Sequence, residues 1–259
     1  RDCLRGVSAG AVGCFWIICF RGDVLYSRSE GATQDVSASR CVEPHSGSDR
    51  PPGRCASDPI RQSLNRDEGR VIVVTGGSGF VGSHLVRLLL ARGEKVRIAD
   101  RREPPCDIAL SADFVSVDIC DDATLRTVFC DAVVVYHLAA NPQLWAHRRG
   151  EFQRVNYWGT VHVLQAALRH RVRRIVHVST ESILTRRGLE DVITENQDVS
   201  RREVIGPYCL SKWRAERYVW LLARAGAPVT IVNPTLPIGP GDWLRTPPTQ
   251  MILDICLGK

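Results

Sequence analysis

The residues best suited to chemistry are a tyrosine and a lysine four positions apart, Tyr208 and Lys212. In a helix this spacing places both side chains on one face. A free phenol has a pKa of about 10 and is a poor base at neutral pH. A neighbouring positive charge stabilises the phenolate and lowers that pKa. The pair therefore predicts a phenol that takes a proton from a substrate hydroxyl, and the alternative is a chance Tyr-x-x-x-Lys on a surface helix.

A hydroxyl residue that could share this proton follows a predicted strand at 174–178 and is Thr180. Parallel sheets bind ligands at the carboxyl ends of their strands, so Thr180 is predicted to hydrogen-bond the substrate oxygen. The lysine is also informative, because the chain has 34 basic residues and all but three are arginine. Arginine is therefore the usual basic residue of this chain, and a lysine four residues after this tyrosine is an exception.

A glycine-rich turn upstream indicates the cofactor. Residues 71–74 are a β-branched run typical of a buried parallel strand. The glycines that follow it include Gly76, Gly79 and Gly82. The first permits a tight turn, the second lets the backbone approach a pyrophosphate, and the third lets the next helix pack on the sheet. That helix begins near Phe80 and Val81, where amide groups favour phosphates. The pattern predicts a dinucleotide pocket, and the alternative is a glycine turn without a ligand.

An acidic residue after the second predicted strand (95–99) indicates which dinucleotide is bound. Asp100 lies 24 residues after Gly76, where a carboxylate would accept the hydroxyls of the adenosine ribose. A carboxylate repels the extra phosphate of NADP, so Asp100 favours NAD. Arg101 and Arg102 follow directly and could hold that phosphate, which leaves NADP as the alternative.

Other cofactor contacts are predicted where later strands end. The third strand, 114–117, runs into Asp118 and Ile119, which we expect near the adenine. The fourth strand, 132–137, runs into a segment of small residues that would let the chain pass close to the cofactor, with tight packing as the alternative. That segment consists of Leu138, Ala139 and Ala140.

Asn156 lies near the start of a helix predicted over about 152–170. Its amide is predicted either to brace the active-site backbone or to cap the helix. Further strands are predicted at 174–178 and 230–233. Strands that alternate with helices imply an α/β fold with a doubly wound parallel sheet, the Rossmann fold, over residues 71–235.

The composition of the chain indicates which partners and which cell compartment to expect. The net charge of +6 is spread without a basic stripe, so no nucleic-acid partner is expected. The cysteines lack metal-ligand spacing, and no metal is expected. Residues 1–70 lack periodicity and are predicted to be a poorly ordered extension. Their apolar run, 7–20, is too short for a membrane span and lacks a convincing cleavage site, so a cytoplasmic protein is expected and secretion is the alternative.

Residues 71–259 resemble the extended short-chain dehydrogenase/reductases, the NAD-dependent epimerase/dehydratase group. The run at 75–82, Thr-Gly-Gly-Ser-Gly-Phe-Val-Gly, matches the cofactor signature of that group. Tyr208 and Lys212 match its catalytic pair, and Thr180 its catalytic serine or threonine. The segment at 233–242, Asn-Pro-Thr-Leu-Pro-Ile-Gly-Pro-Gly-Asp, is similar to one in hopanoid-associated sugar epimerases and dihydroflavonol-reductase-like proteins.

The resemblance implies an enzyme with a Thr/Tyr/Lys triad that epimerises a nucleotide sugar, or a related polyol, by transient hydride transfer to NAD. Lys212 is then expected to hold the nicotinamide ribose, with Tyr208 and Pro234 also contacting the cofactor. The alternatives are an NADPH-dependent ketone reductase of the dihydroflavonol or 3β-hydroxysteroid type and a non-catalytic dinucleotide sensor. An intact triad argues against the sensor.

The sequence departs from the family pattern in two places. Sugar dehydratases of the group carry Thr-Asp-Glu where this chain has Thr180-Glu181-Ser182. The missing second carboxylate disfavours dehydration. Family members also continue well past this length, so residues 236–259 are interpreted as the start of a truncated substrate domain. We further expect the complete protein to form a homodimer, to use a small-molecule substrate and to have no membrane partner.

Overall fold

The computed structural model describes residues 18–20, 70–146, 148, 150–185 and 192–259, with the backbone alone for residues 18–20. The strands of the described residues are β1 (Ile18–Phe20), β2 (Val71–Thr75), β3 (Val96–Asp100), β4 (Asp113–Ser116), β5 (Ala132–His137), β6 (Arg174–Val178) and β7 (Val229–Pro234). The helices are α1 (Phe80–Ala91), α2 (Cys106–Ala109), α3 (Asp122–Leu125), α4, α5 (Gly206–Arg224) and α6 (Pro247–Cys256). Helix α4 joins Gly150–Phe152, a π-helical stretch Gln153–Trp158, and Gly159–Arg169.

The strands form one sheet in the order β1-β7-β6-β5-β2-β3-β4. Strands β2 to β7 are parallel, and β2 lies between β3 and β5. Strands β3 and β4 therefore extend the sheet on one side of β2, and β5, β6 and β7 extend it on the other. This confirms the predicted doubly wound Rossmann sheet.

The sheet is held by a core on each face, because successive side chains of a strand point in opposite directions. Val73 of β2 packs in one core with Leu164 of α4. Its neighbours Ile72 and Val74 pack in the other core with Val86 of α1. Burying an aliphatic side chain of this size stabilises the fold by about 1.5–3 kcal/mol. The continuous β-branched run is therefore explained by helices on both faces.

The predicted strands lie within one or two residues of the observed ones, and the helix predicted at 152–170 begins earlier, at Gly150. The prediction of a poorly ordered 1–70 extension falls outside the described residues except for two places, Arg70 and Ile18–Phe20. Ile18–Phe20 form a strand antiparallel to residues 232–234, so these three residues depart from the prediction. The backbone groups on the outer edge of β7 offer hydrogen bonds that a short strand can satisfy.

Two classes of feature are absent from the described part of the chain. No three His, Cys, Asp or Glu side chains there are grouped so that they could hold a metal ion. None of its helices combines the length and the apolar character needed to cross a bilayer.

Candidate active site

The predicted site residues converge on the carboxyl edge of the sheet. Gly76 follows β2, Asp100 ends β3, and Thr180 lies two residues beyond β6. Pro234 is the last residue of β7, and Leu138, Ala139 and Ala140 follow β5. Tyr208 and Lys212 extend from the first two turns of α5. Because these strands are parallel, the glycine turn and the triad lie along the same edge of the sheet.

Gly76 has a φ of 73°, in the left-handed region that favours glycine. A Cβ on this residue would lie 2.6 Å from the backbone nitrogen of Ala139. The turn is fixed by the Gly76 N–H, which donates to the Ala99 carbonyl at 3.0 Å. Leu138 donates in turn to the Thr75 carbonyl at 3.0 Å. The close approach of the backbone at residues 138–139 thus requires glycine at position 76. Contact of Leu138, Ala139 and Ala140 with the cofactor stays a prediction.

Gly82 and Gly79 shape the start of α1. A Cβ on Gly82 would lie 2.1 Å from the Gly76 carbonyl oxygen, so only glycine fits where the helix crosses the turn. Gly79 is the N-cap of α1 and has no side chain to occupy the amide groups of Phe80 and Val81. The first amides of a helix lack partners within that helix. This helix end therefore suits a phosphate.

The Asp100 carboxylate is fixed beside the glycine turn. Its Oδ2 accepts the Ser78 backbone N–H at 3.1 Å, and its Oδ1 accepts that of Arg102 at 3.1 Å. The Ser78 hydroxyl donates to the Arg102 carbonyl at 2.7 Å and ties the two loops together. Each carboxylate oxygen can accept more than one hydrogen bond. Asp100 therefore presents a preorganised acceptor pair where the ribose hydroxyls were predicted.

Asp118 and Ile119 both follow β4, but their side chains have different surroundings. Burial raises the pKa of Asp118, but hydrogen bonds from Cys120 and the charges of Arg101 and Arg154 outweigh it and hold that pKa below its usual value. The Ile119 side chain is buried in the core. A Cβ on Gly159 would meet it at 2.5 Å. Ile119 can therefore face a nucleotide only through its backbone.

Asn156 braces the backbone and does not cap the helix. It lies within the π-helical stretch of α4 and is 1% exposed. Its Oδ1 accepts the Asn141 N–H at 2.7 Å, and its Nδ2 donates to the Asn141 carbonyl at 3.2 Å and to the Ser211 hydroxyl at 3.0 Å. Ser211 also donates to the Tyr208 carbonyl at 2.6 Å. Asn156 thus joins the loop after β5 to the helix that carries Tyr208 and Lys212.

Replacing Asn156 by alanine should destabilise the chain by about 1–3 kcal/mol, because buried partners lose their hydrogen bonds. Urea unfolding followed by circular dichroism measures the loss. Asn196 is exposed, and its replacement by alanine should change the free energy of unfolding by no more than about 0.5 kcal/mol. Equal effects of the two changes would contradict the bracing role.

The Thr180 hydroxyl lies within a short hydrogen-bonded chain of oxygens. It donates to Glu181 Oε2 at 3.0 Å and lies 3.2 Å from the Ser182 hydroxyl. It also lies close enough to the Tyr208 phenol to act against the rise in that group's pKa. The sequence assigned no role to Glu181, although its carboxylate contacts the predicted catalytic hydroxyl.

The pKa of Tyr208 differs from the expectation. It is raised to about 12, chiefly by burial and also by the charges of Cys209 and Glu181, while Thr180 acts to lower it. The protein's own groups therefore do not provide the lowered pKa predicted for this phenol. The reason is that burial of the phenol, and then the charges of Cys209 and Glu181, oppose ionisation.

The position of the Lys212 ammonium explains part of the difference between the lowered pKa predicted for Tyr208 and its raised pKa in the structure. Lys212 is 4% exposed, and its Nζ donates to the Val178 carbonyl at the end of β6 at 2.8 Å. Burial lowers the pKa of Lys212 to about 8, while Glu216 acts to raise it. The ammonium is thus directed at the end of a strand and is not held on the phenol.

Two buried residues that the sequence reasoning missed lie behind the triad. Asn233 Nδ2 donates to the Thr180 carbonyl at 3.2 Å and to Glu216 Oε2 at 2.9 Å. Both side chains are buried. One signal was available, because Glu216 follows Lys212 by four residues, as Lys212 follows Tyr208. The contact with Asn233, 17 residues further on, could not be read from spacing.

Comparison with known proteins identifies several relatives of this chain. A ketoreductase of Stigmatella aurantiaca, named for a farnesyl dihydroquinoline oxide substrate, is 34% identical over 67% of this chain and 52% of its own length. The chain spans about half the length of the curated relatives it matches first.

Two solved structures also resemble the chain. The crystal structure of gox2253 is 37% identical, with a TM-score of 0.68, over 73% of this chain and 58% of that one. MoeE5 in complex with UDP-glucuronic acid and NAD is 31% identical, with a TM-score of 0.54, over 63% of this chain and 52% of that one. Residues 72–256 match the NAD dependent epimerase/dehydratase family. The chain therefore belongs to this family, as its motifs indicated.

Proposed function

We propose that the complete protein is an NAD-dependent epimerase of a nucleotide sugar or related polyol. The observation that carries this proposal is the Asp100 carboxylate, fixed by Ser78 and Arg102 on the same sheet edge as the triad. A fixed anion at this position favours NAD over NADP. An epimerase takes a hydride and returns it, so it needs NAD but does not consume it.

The residues present fit such a cofactor. Gly79 has no side chain to cover the first amides of α1, which would donate to a pyrophosphate. Asp100 would hold the adenosine ribose, and Lys212 the nicotinamide ribose. NAD, when bound, supplies a reversible acceptor for the substrate's hydride. The oxidised nicotinamide is also a positive charge that would favour the Tyr208 phenolate.

The proton steps belong to the triad. Tyr208 takes the proton of the substrate hydroxyl and later returns it to the reduced oxygen. Thr180, whose hydroxyl acts on the pKa of Tyr208, holds the same oxygen. Lys212 contributes a positive charge one helical turn from the phenol. Because the pKa of Tyr208 in the protein is about 12, the positive nicotinamide is needed before the phenol can act as a base.

A nucleotide sugar is supported by the similarity to MoeE5, whose solved complex contains UDP-glucuronic acid and NAD. A second candidate is a ketone reductase, favoured by the similarity to the Stigmatella ketoreductase. Both would use the same three residues. They differ in the fate of the cofactor, which an epimerase regenerates in each turnover and a reductase consumes.

Cofactor analysis of the purified complete protein tests the proposal. An epimerase should retain NAD through purification and show no net oxidation of added NADPH with ketone substrates. A reductase should lack retained NAD and consume NADPH. A protein that does neither would be a dinucleotide sensor or would bind no dinucleotide, and either outcome contradicts the proposal.

Asp100→Ala should weaken NAD binding by the 259-residue chain. Loss of one charge-assisted hydrogen bond of about 1.5–3 kcal/mol raises Kd by at least about ten-fold. Calorimetric titration with NAD and NADP measures this. Asp113→Ala is the matched control, because that carboxylate pairs with Arg97 where β4 begins. Tighter binding of NADP than NAD by the unaltered chain would reverse the assignment and transfer the specificity to Arg101.

A further inference from the structure

Glu216 is a buried acid on the helix that carries Tyr208 and Lys212. It is 2% exposed and lies four residues after Lys212 in α5, so the two side chains are neighbours one turn apart. Burying a carboxylate is costly unless it has hydrogen bonds or an opposite charge. Asn233 satisfies part of this requirement by donating its Nδ2 to Glu216 Oε2 at 2.9 Å. The carboxylate is therefore held in place from β7.

Lys212 needs a negative charge nearby if it is to remain an ammonium. Burial lowers its pKa to about 8, and its hydrogen-bond partner, the Val178 carbonyl, is neutral. The titratable groups that face it from β5 and β6 are His137 and His177, and burial lowers the pKa of both. Neither histidine can supply an anion. Glu216 is the acidic group that raises the pKa of Lys212.

We propose that Glu216 is a positioning residue for the reaction, whose buried carboxylate, fixed by Asn233, keeps Lys212 in its charged form. The inference rests on the proposed function for the catalytic meaning of Lys212. The same Asn233 Nδ2 donates to the Thr180 carbonyl at 3.2 Å, so one buried amide joins the acid behind Lys212 to the backbone of the third triad residue.

A merely structural role for Glu216 makes a different prediction. If the carboxylate served only to anchor Asn233, glutamine could replace it, because the glutamine carbonyl also accepts a hydrogen bond. Glu216→Gln keeps the shape and the acceptor and removes the charge. Whether Lys212 keeps its charge in Glu216→Gln therefore distinguishes a positioning role for Glu216 from a merely structural one.

The chain is suited to a direct measurement, since Lys95, Lys212 and Lys259 are its only lysines. With ¹³C-labelled lysine, the ε-carbons give three NMR signals that can be followed against pH. Removing an anion beside an ammonium destabilises the charged form, so Glu216→Gln should lower the Lys212 titration midpoint by roughly one pH unit. Glu94→Gln, which removes the same charge in the turn before β3, should leave that midpoint unchanged.

An unchanged Lys212 midpoint in folded Glu216→Gln would overturn the inference. If that variant does not fold, Glu216→Asp serves instead, because it retains the charge on a shorter side chain. Its Lys212 midpoint should stay within about half a unit of the unaltered chain. A drop of a full unit or more in this charged variant would contradict the inference.

NAD titration of the same variants keeps the inference separate from the proposed function. Glu216→Gln should bind NAD more weakly than the unaltered chain above its lowered Lys212 midpoint, by about ten-fold, and equally well below it. Failure of the unaltered chain to bind NAD would refute the proposed function, while the lysine titration would still decide the role of Glu216. Equal NAD affinity at every pH, with a lowered midpoint, would overturn the claim that the Lys212 charge serves the cofactor.

Discussion

Tyr208→Phe should lower turnover by the complete protein by about 10²–10⁴-fold, the usual contribution of a positioned acid or base. Affinity for NAD should change little. The phenyl ring keeps its edge-on contact with Phe152, at 6.2 Å between ring centroids, and Lys212 keeps its bond to Val178. Only the hydroxyl that exchanges the proton is lost. Steady-state kinetics together with an NAD titration measure both effects.

The matched control for this change is Tyr218→Phe. Tyr218 lies on the same helix, and its hydroxyl accepts only a long bond of 3.4 Å from Gln165 at the surface. The same chemical change there should leave turnover within about two-fold, because surface contacts of this kind contribute little. Near-normal turnover of Tyr208→Phe would remove the tyrosine from the mechanism. A ten-fold loss of NAD affinity would instead show that its hydroxyl serves mainly to bind.

Gly82→Ala should disrupt both the fold and the cofactor turn. The added Cβ would lie 2.1 Å from the Gly76 carbonyl and 2.8 Å from the Gly77 Cα, and neither backbone atom can move alone. Such overpacking costs typically about 1–3 kcal/mol. Relief of the clash would also move the amide groups at the start of α1, so NAD binding should become undetectable. Urea unfolding and calorimetry measure the two losses.

Gly150→Ala makes the same chemical change in a helix where nothing lies within 4 Å of the new Cβ. It should leave NAD binding unchanged and stabilise the chain by about 0.4–1 kcal/mol, because alanine restricts the unfolded chain more than glycine does. A Gly82→Ala variant as stable and as able to bind NAD as Gly150→Ala would contradict the structure of the turn.

The sheet could be predicted because its signals are local. The run at 71–74 is β-branched throughout, and helices cover both faces of β2. The glycine spacing is equally local, since Gly76 and Gly82 touch each other across one turn. The pairing of Tyr208 with Lys212 follows from helical periodicity alone. Each of these inferences needs only residues close together in the chain.

Features that depend on distant residues could not be predicted in this way. The pKa of Tyr208 depends on how deeply α5 buries the ring and on the nearby Glu181. The role of Asn156 depends on Asn141 and Ser211, which come from a loop and another helix. Sequence spacing left two roles open for that amide, and only tertiary contacts distinguish them.

Under the proposed function, the glycine turn and the triad form one site for a dinucleotide. The most direct test is the Lys212 ε-carbon signal of the labelled 259-residue chain during addition of NAD. We expect this signal to move with saturating dependence on NAD, while those of Lys95 and Lys259 stay fixed, and we expect Gly82→Ala to abolish the movement. NAD binding that leaves the Lys212 signal in place, or no binding at all, would contradict the claim.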